Sequence, residues 1–359
     1  MASDPARLGL IRAEVAAALE RFLRGQHDVL AAIGDDLVPW LRVMSELLSG
    51  GKRLRPAFCY WGWRAADGPD CPEILTAAAC LELLQASALV HDDVMDASET
   101  RRGRPAVHRQ FARAHEAAGY GGSAEAFGVG AAILIGDALL SWTDEMYHGS
   151  GLPAETLQRG QPMLNAMRTE VAAGQYLDLV NQFSRNESVR SALRVITYKT
   201  AKYTIERPLH LGAAMAGGPP DLTAAIAATC TDYGLPLGVA FQLRDDILGV
   251  FGDPARTGKP VSGDLREGKR TVLVALAYER ASTAQARLLD RYLGDRDLSE
   301  AAAGEIRAVI AETGALAECE TLIGASVKEA TSALDGAPIT AEASAALVEL
   351  AVEATARAV

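Results

Sequence analysis

Two pairs of adjacent aspartates close apolar stretches of this chain. Asp92–Asp93, followed by Asp96, lies in LVHDDVMDASETRRG from residue 89, and Asp245–Asp246 lies in FQLRDDILGVFGD from residue 241. On a helix, Asp92 and Asp96 share a face four residues apart with Asp93 beside them, so their carboxylates can converge. Unpartnered, they would repel. Clustered acids of this kind suit hard divalent cations, and magnesium shares the sites that carboxylates leave open with water and phosphate oxygens. The implied ligand is a phosphate ester or a diphosphate. The competing reading is a solvated helix end whose acids pair with Arg101 and Arg102. The mostly apolar CLELLQASALV before the first motif, and the presence of a second motif, weigh against it.

Cations for such an anion accompany the acids. GGKRLRP, residues 50–56, follows a predicted helix with two glycines that free the backbone, then offers Lys52, Arg53 and Arg55. Arg101 and Arg102 follow the first acidic motif, and GKPVSGDLREGKRT, from residue 258, carries Lys259, Lys269 and Arg270 after the second. A basic turn by itself is ordinary surface. Two acidic and several basic clusters in one chain suggest two anionic substrates, one of them bound through metal.

The elements that must position these groups read as helices. Apolar patterns of helical period predict helices over about 5–24, 37–49, 72–97, 123–147, 153–182, 187–216, 221–251 and 269–294, with three more after residue 298. GLP at 151, GGPPD at 217 and FGDPARTGKP at 251 punctuate them, and alternating strand patterns are nearly absent. No repeat or linker divides the 359 residues, which predicts one all-α domain over 1–359. The 49% hydrophobic content is enough for a sizeable core, and a net charge of −11 argues against a nucleic-acid partner. Cys59, Cys71, Cys80, Cys230 and Cys319 show no CxxC spacing, which indicates neither zinc nor a disulfide framework and fits a reducing compartment. The longest apolar stretch, AFGVGAAILIGDALLSW from Ala126, is interrupted by Asp137 and predicts no membrane span. The first residues show amphipathic spacing at Leu8, Ile11, Val15, Leu19 and Phe22 in place of a leader, so a soluble, cytoplasmic protein is expected.

The ordered set GGKRLRP, HDDVMD with RRG, GQYLDL, YKTAKYT, FQLRDD, GKP and EGKRT resembles the trans-isoprenyl diphosphate synthases, the polyprenyl synthetase family, over roughly residues 48–272. The resemblance implies an isoprenoid-synthase helical bundle around a central cavity. It also implies a Mg2+-dependent prenyltransferase, most like a bacterial geranylgeranyl diphosphate synthase. Isopentenyl diphosphate would attack the carbocation left when an allylic diphosphate ionises, with Mg2+ and basic side chains stabilising the leaving diphosphate. By resemblance, Asp92, Asp96 and Asp245 would ligate magnesium directly, three ions being bound with the allylic diphosphate, and Asp93 and Asp246 would support them. Arg101, Lys199 and Lys259 would hold the allylic diphosphate, while Lys52, Arg53, Arg55, Gln85, Arg102 and Lys269 complete the substrate-binding set. Thr200 and Gln242 would turn oxygen dipoles toward the carbocation, and Gln175 and Asp178 would approach the metals. A homodimer is expected on the same ground.

Two positions depart from the family pattern. Gly249 stands where a third aspartate often completes the second motif, and Gln85 stands where a histidine often occupies the isopentenyl site. Product length is read from the face of the first-motif helix. At about 5.4 Å per turn, Ala88 lies one turn and Leu84 two turns below Asp92. Ser87 and Ala88 are small where aromatics in the family stop the chain early. Leu84, with Leu81, Phe127 and Ile133, is a candidate floor, and geranylgeranyl diphosphate (C20) is the expected product. A farnesyl or longer product, a class I terpene cyclase and a non-catalytic partner subunit are the alternatives. A cyclase would carry NDxxSxxxE in place of RDDILGVFGD and would not need GGKRLRP. His91 beside Asp92 is similar to metal phosphohydrolases, which would want a further histidine upstream, and only His27 precedes it. His108, His115, His148 and His210 are expected as surface or satisfied core residues.

Overall fold

The computed structural model describes residues 5–252 and 263–355. Those residues are helical apart from turns and a hairpin that pairs Thr100–Arg101 with Arg104–Pro105, antiparallel. The chain divides into two compact units. Unit 1 comprises Met1–Leu164, Pro208–Ala224 and Ile339–Ala345, and unit 2 comprises Asn165–Arg207, Ala225–Pro338 and Ala346–Val359.

Unit 1 contains α1 (Pro5–Ala31), α2 (Val38–Leu48), α3 (Leu54–Ala65), α4 (Pro72–Met95), α5 (Val107–Ala117) and α6 (Ala124–His148). Helix α4 is its centre, packed on α6, α3 and α1. It is apolar nearly all the way round, which a helix tolerates only when neighbours cover every face. The sequence pattern predicted neither α3 nor α5. In α3 every residue except Arg55 and Arg64 is buried, so no amphipathic period marks it, and Pro56 and Gly62 lower its helix propensity. In α5 the buried residues are Val107, His108, Phe111 and His115, and the two histidines break the apolar signal.

The helix predicted over 187–216 is three elements: α8 (Val189–Val195), a π-helix (Ile196–Glu206) and α9 (Arg207–Ala216). The π-helix is a rare widening of the turn that gathers at functional sites. Two glycines press against it in unit 2. On α7 (Ala154–Phe183), a Cβ at Gly174 would fall 2.4 Å from Lys199 N; on α10 (Pro220–Phe251), a Cβ at Gly238 would fall 2.3 Å from Ala201 Cα. The close approach fixes the backbone that carries Lys199 and Thr200. Beyond it come α11 (Gly263–Glu267), α12 (Val272–Arg280), α13 (Thr283–Tyr292), α14 (Glu300–Glu312), α15 (Ala315–Ser332) and α16 (Ala341–Thr355). The single helix predicted over 269–294 is broken at Ser282, which caps α13 in a reciprocal box with Gln285. Leu243, Ile247, Leu265, Leu273 and Ile306 form part of the core of unit 2.

Three helices, Pro72–Met95, Ala124–His148 and Pro220–Phe251, are long and apolar enough to cross a membrane by length and composition, beyond what the interrupted stretch at Ala126 suggested. In α4, 67% of the most apolar window is buried within the structure, so core packing accounts for its hydropathy.

Candidate active site

In unit 1, the last turn of α4 presents Asp92 and Asp93, and Asp96 follows as its C-cap. Asp93 is only 2% exposed, whereas Asp92 and Asp96 are half-buried. Arg101, on the hairpin, donates from Nε to Asp93 Oδ1 at 2.9 Å and from a terminal nitrogen to the same oxygen, and lies 3.4 Å from Asp92 Oδ2. Burial pushes the Asp93 carboxyl above its ordinary pKa, and the Arg101 hydrogen bond opposes that shift. Arg102 lies over Gly51, whose φ of +115° few other residues could adopt, and a Cβ there would stand 3.4 Å from the guanidinium. Its NH1 reaches Leu47 O at 3.4 Å and Gly50 O at 3.5 Å. Burial lowers the Arg102 pKa; Glu82 opposes that shift, while Arg53, Arg101 and Arg55 add to it. A cavity of about 200 Å³ is lined by Ser49, Gly50, Asp93, Arg101, Arg102 and Arg104 among others.

The turn before α3 departs from the sequence reading. Lys52 and Arg55 are half-buried, and Arg12 Nε donates to Lys52 O at 3.0 Å, tying the turn to α1. Arg53, expected among the substrate cations, is instead buried: it adopts φ 52° at the start of α3, its NH1 is 2.5 Å from Glu82 Oε2, and NH2 donates to Leu48 O. A guanidinium so placed is consumed by the core and by the end of α2. Gln85 is half-buried on α4, Leu84 and Ser87 are buried, and Ala88 keeps part of its surface accessible.

The histidines separate cleanly. His91 Nε2 is 3.2 Å from Ile133 O and 3.5 Å from Asp137 Oδ1, and its ring fills the space over Gly136, so it serves the packing of α4 on α6. That placement counts against the phosphohydrolase reading. His108, expected to be exposed or satisfied, is buried with neither ring nitrogen hydrogen-bonded among the described residues, and burial lowers its pKa, so it is held neutral.

In unit 2, one cavity of about 80 Å³ brings together Asp178 from α7, Lys199 and Thr200 from the π-helix, Gln242, Asp245 and Asp246 from α10, and Asp264 and Lys269. Thr200 Oγ1 donates to Gln242 Oε1 at 2.6 Å, and Gln242 Nε2 donates to Asp246 Oδ1 at 2.7 Å. This relay fixes the amide's orientation. Lys199 Nζ donates to Asp178 Oδ2 at 2.7 Å, and Lys269 Nζ lies 2.7 Å from Glu267 Oε2 and 3.6 Å from Asp264 Oδ1. Burial pushes the Asp246 carboxyl up to about 8; Gln242 opposes the shift, while Asp264 and Asp245 add to it. Gln175 is half-buried, with its amide nitrogen buried and without a hydrogen-bond partner among the described residues. Lys259 lies outside the described residues.

Sequence reasoning missed Asp264, although GKPVSGDLREGKRT holds it between two cations that were read. It also missed Arg244, which pairs through both terminal nitrogens with Glu320 at 2.6 and 2.7 Å and so ties α10 to α15. Among the described residues, no group of three or more His, Cys, Asp or Glu side chains is close enough to hold a metal ion by itself. Magnesium does not need such a cage, being held commonly by one or two carboxylates and substrate phosphates. The half-buried, oxygen-only donors Asp92, Asp96 and Asp245 fit it.

Helical units that end in aspartate pairs beside cation-lined cavities define a class of proteins built to handle diphosphates. Residues 38–312 match the Polyprenyl synthetase family. A geranylfarnesyl diphosphate synthase of Aeropyrum pernix is 32% identical over 295 residues, covering 81% of this chain and 85% of its own. A geranylgeranyl diphosphate synthase of Mycobacterium tuberculosis is 32% identical over 300 residues, covering 81% and 79%. The crystal structure of geranylgeranyl pyrophosphate synthase from Corynebacterium glutamicum, complexed with isoprenyl diphosphate and magnesium, is similar at TM-score 0.92 and 43% identity, covering 96% of this chain and 98% of that one. This chain belongs to the polyprenyl synthetase family and is a trans-prenyltransferase. Family membership fixes the reaction, not the product length, since its relatives are named for farnesyl, geranylgeranyl and geranylfarnesyl products.

Proposed function

We propose that the enzyme is a geranylgeranyl diphosphate synthase, adding isopentenyl diphosphate to allylic diphosphates until the chain reaches C20. The observation that carries the reading is Ala88, a small and partly accessible residue one turn below Asp92, with Leu84 buried a further turn down. The first position leaves room for a growing tail, and the second is a candidate floor.

Asp92 and Asp96 of unit 1 and Asp245 of unit 2 would hold Mg2+, in our reading three ions with the allylic diphosphate, and the buried Asp93 and Asp246 would support them. Bound magnesium neutralises the charge that builds on the departing diphosphate. Arg101, Lys199 and Lys259 bind that diphosphate, and Lys52, Arg55 and Arg102, with Gln85 and Lys269, bind isopentenyl diphosphate. Arg53 has no place in this set because its charge is spent on Glu82. When the allylic C–O bond breaks, Thr200 and Gln242 face the carbocation as fixed dipoles. The Thr200 hydrogen is already committed to Gln242, which leaves oxygen lone pairs as its remaining polarity. The double bond of isopentenyl diphosphate then forms the new C–C bond, and a proton leaves the adduct. The enzyme works as a homodimer, a reading supported by the exposed apolar residues Phe127, Ile133, Leu134 and Leu140 on α6.

The test is incubation with Mg2+, labelled isopentenyl diphosphate and, separately, C5, C10 and C15 allylic diphosphates, followed by sizing of the dephosphorylated products. A C20 product that Asp92→Ala abolishes is expected. Chains that stop at C15 or run past C20 would refute the length assignment, and no condensation from any primer would refute the activity.

A further inference from the structure

One carboxylate grips both ends of the last π turn. Arg207 N donates to Lys202 O, five residues back, the backbone bond that distinguishes a π turn from an α turn. The side chains of the same two residues meet on Glu170 of α7. Lys202 Nζ donates to Glu170 Oε1 at 3.1 Å, and Arg207 donates from Nε to Oε2 and from NH2 to Oε1, both at 2.7 Å. In an α-helix, residues five apart point about 140° away from each other; where the backbone bond itself spans five residues, they stack. The Glu170 contact therefore matches the π register and not the α register. The face of α7 that carries Glu170 also meets the backbone that bears the reacting groups. Glu170, Gly174 and Asp178 recur every four residues, the first on the Lys202–Arg207 pair, the second against Lys199 N and the third on the Lys199 ammonium. From α10, Thr231 Oγ1 donates to Glu206 Oε1 at 2.9 Å, and Lys202 Nζ lies 3.5 Å from Glu206 Oε2.

We infer that Glu170 is a positioning residue for the reaction: by holding Lys202 and Arg207 together it keeps this stretch in its π register, and so keeps Lys199 and Thr200 directed into the cavity that they line. The inference rests on the reading of Lys199 and Thr200 as groups that serve the transfer. None of Glu170, Lys202 and Arg207 is among the described residues that line that cavity, so the carboxylate acts through the backbone and not on substrate. A slip to the α register would take up one residue and turn the residues before it by about 100° relative to α9. Thr200 would then leave Gln242, and Lys199 would leave Asp178.

Steady-state kinetics of the full-length enzyme with Mg2+, an allylic diphosphate and isopentenyl diphosphate, run well below the unfolding temperature of every variant, test this. Glu170→Gln is expected to lower kcat roughly 10- to 100-fold, the cost of a small misplacement of reacting groups, and to leave KM for isopentenyl diphosphate within about twofold of wild type. In a Thr200→Val background the same change should cost less than about threefold, because two changes that act through one group do not multiply. Lys202→Met keeps the Arg207 half of the clamp, and with it the fold, and should give a smaller loss that Thr200→Val masks in the same way. A wild-type kcat in Glu170→Gln beside a lowered unfolding midpoint would assign the carboxylate to stability alone and overturn the inference. Losses that multiply in the double variants would overturn it too, as would a raised KM at unchanged kcat. Wild-type kcat in both Thr200→Val and Lys199→Met would instead sink the reading on which it rests.

Discussion

Glu82→Gln should unfold unit 1 far more readily than its single-atom change suggests. The side chains of Arg53 and Glu82 are 5% and 4% exposed and meet at 2.5 Å. Removing one charge from a buried pair leaves the other desolvated and uncompensated, at a cost of about 3–5 kcal/mol. Replacing both, as in Arg53→Met with Glu82→Leu, removes both desolvation penalties, so the pair itself should be close to neutral. What remains is the hydrogen bond from Arg53 to Leu48 O, about 1 kcal/mol. The left-handed backbone at Arg53, φ 52°, stores a further 1–3 kcal/mol or so that Arg53→Gly would release. The double variant should therefore be markedly more stable than Glu82→Gln, even though it loses more atoms. Urea denaturation followed by circular dichroism ranks the three, and KM for isopentenyl diphosphate is measured beside it. An unfolding midpoint unchanged in Glu82→Gln would refute the buried-pair argument. Wild-type stability in Arg53→Met with a KM raised tenfold or more would return Arg53 to the substrate site.

Phenylalanine at Ala88 should shorten the product to C15 or C10, sized chromatographically after dephosphorylation. Phenylalanine at Ser87, 3% exposed, should instead overpack the core at about 1–3 kcal/mol, lowering the melting temperature without shortening the product. Gly238→Ala should lower stability by a similar 1–3 kcal/mol or so, and also slow turnover, because the new methyl meets Ala201 and shifts the π-helix that carries Thr200. Burial raises the Glu170 carboxyl's pKa, but hydrogen bonds from Arg207 and Lys202 more than offset this and leave it lowered. Its contribution to stability is thus complete above the ordinary glutamate value of about 4.3 and disappears as pH falls through the lower folded value. Glu170→Gln should flatten that acid limb when unfolding midpoints are compared across acidic pH, and an unchanged slope would count against the ion pairs.

Much of this was legible because helices advertise themselves. The helices over 72–97, 123–147 and 221–251 were predicted within two residues of their observed ends, since long apolar patterns bounded by Pro and Gly leave few alternatives. Legibility failed where the deciding partner was remote in sequence. The sequence of GGKRLRP gives no sign that Arg53, and not Lys52 or Arg55, turns inward, because Glu82 lies 29 residues away. Asp264 went unread because the cavity that it shares with Asp245 and Asp246 comes together only in the fold. The π-helix stayed hidden because one widened stretch barely disturbs the 3.6-residue pattern on either side.

The doubled aspartate common to both motifs has a geometric reason. Adjacent residues on an α-helix point about 100° apart, so when one carboxylate of a pair faces a cavity, its neighbour turns toward the core. Asp93 and Asp246 are the inward members, 2% and 6% exposed, beside the half-buried Asp92 and Asp245. Each inward carboxylate grips a side chain that serves the proposed reaction: Asp93 holds Arg101, and Asp246 holds Gln242, which in turn holds Thr200. Arg101 binds Asp93 through two nitrogens and touches Asp92 only at 3.4 Å, so a cation can take Asp92 while Arg101 keeps its anchor. The two motifs differ in how they limit repulsion within the pair. In both, burial raises the affinity of the inward carboxyl for its proton; the first adds the Arg101 guanidinium, which opposes that rise and offsets the charge directly, whereas the second sets the Gln242 amide against it. In the proposed mechanism, then, a DD pair is one ligand and one positioning residue, and neutralising the inward member should disorder Arg101 or Thr200 before it weakens a metal bond.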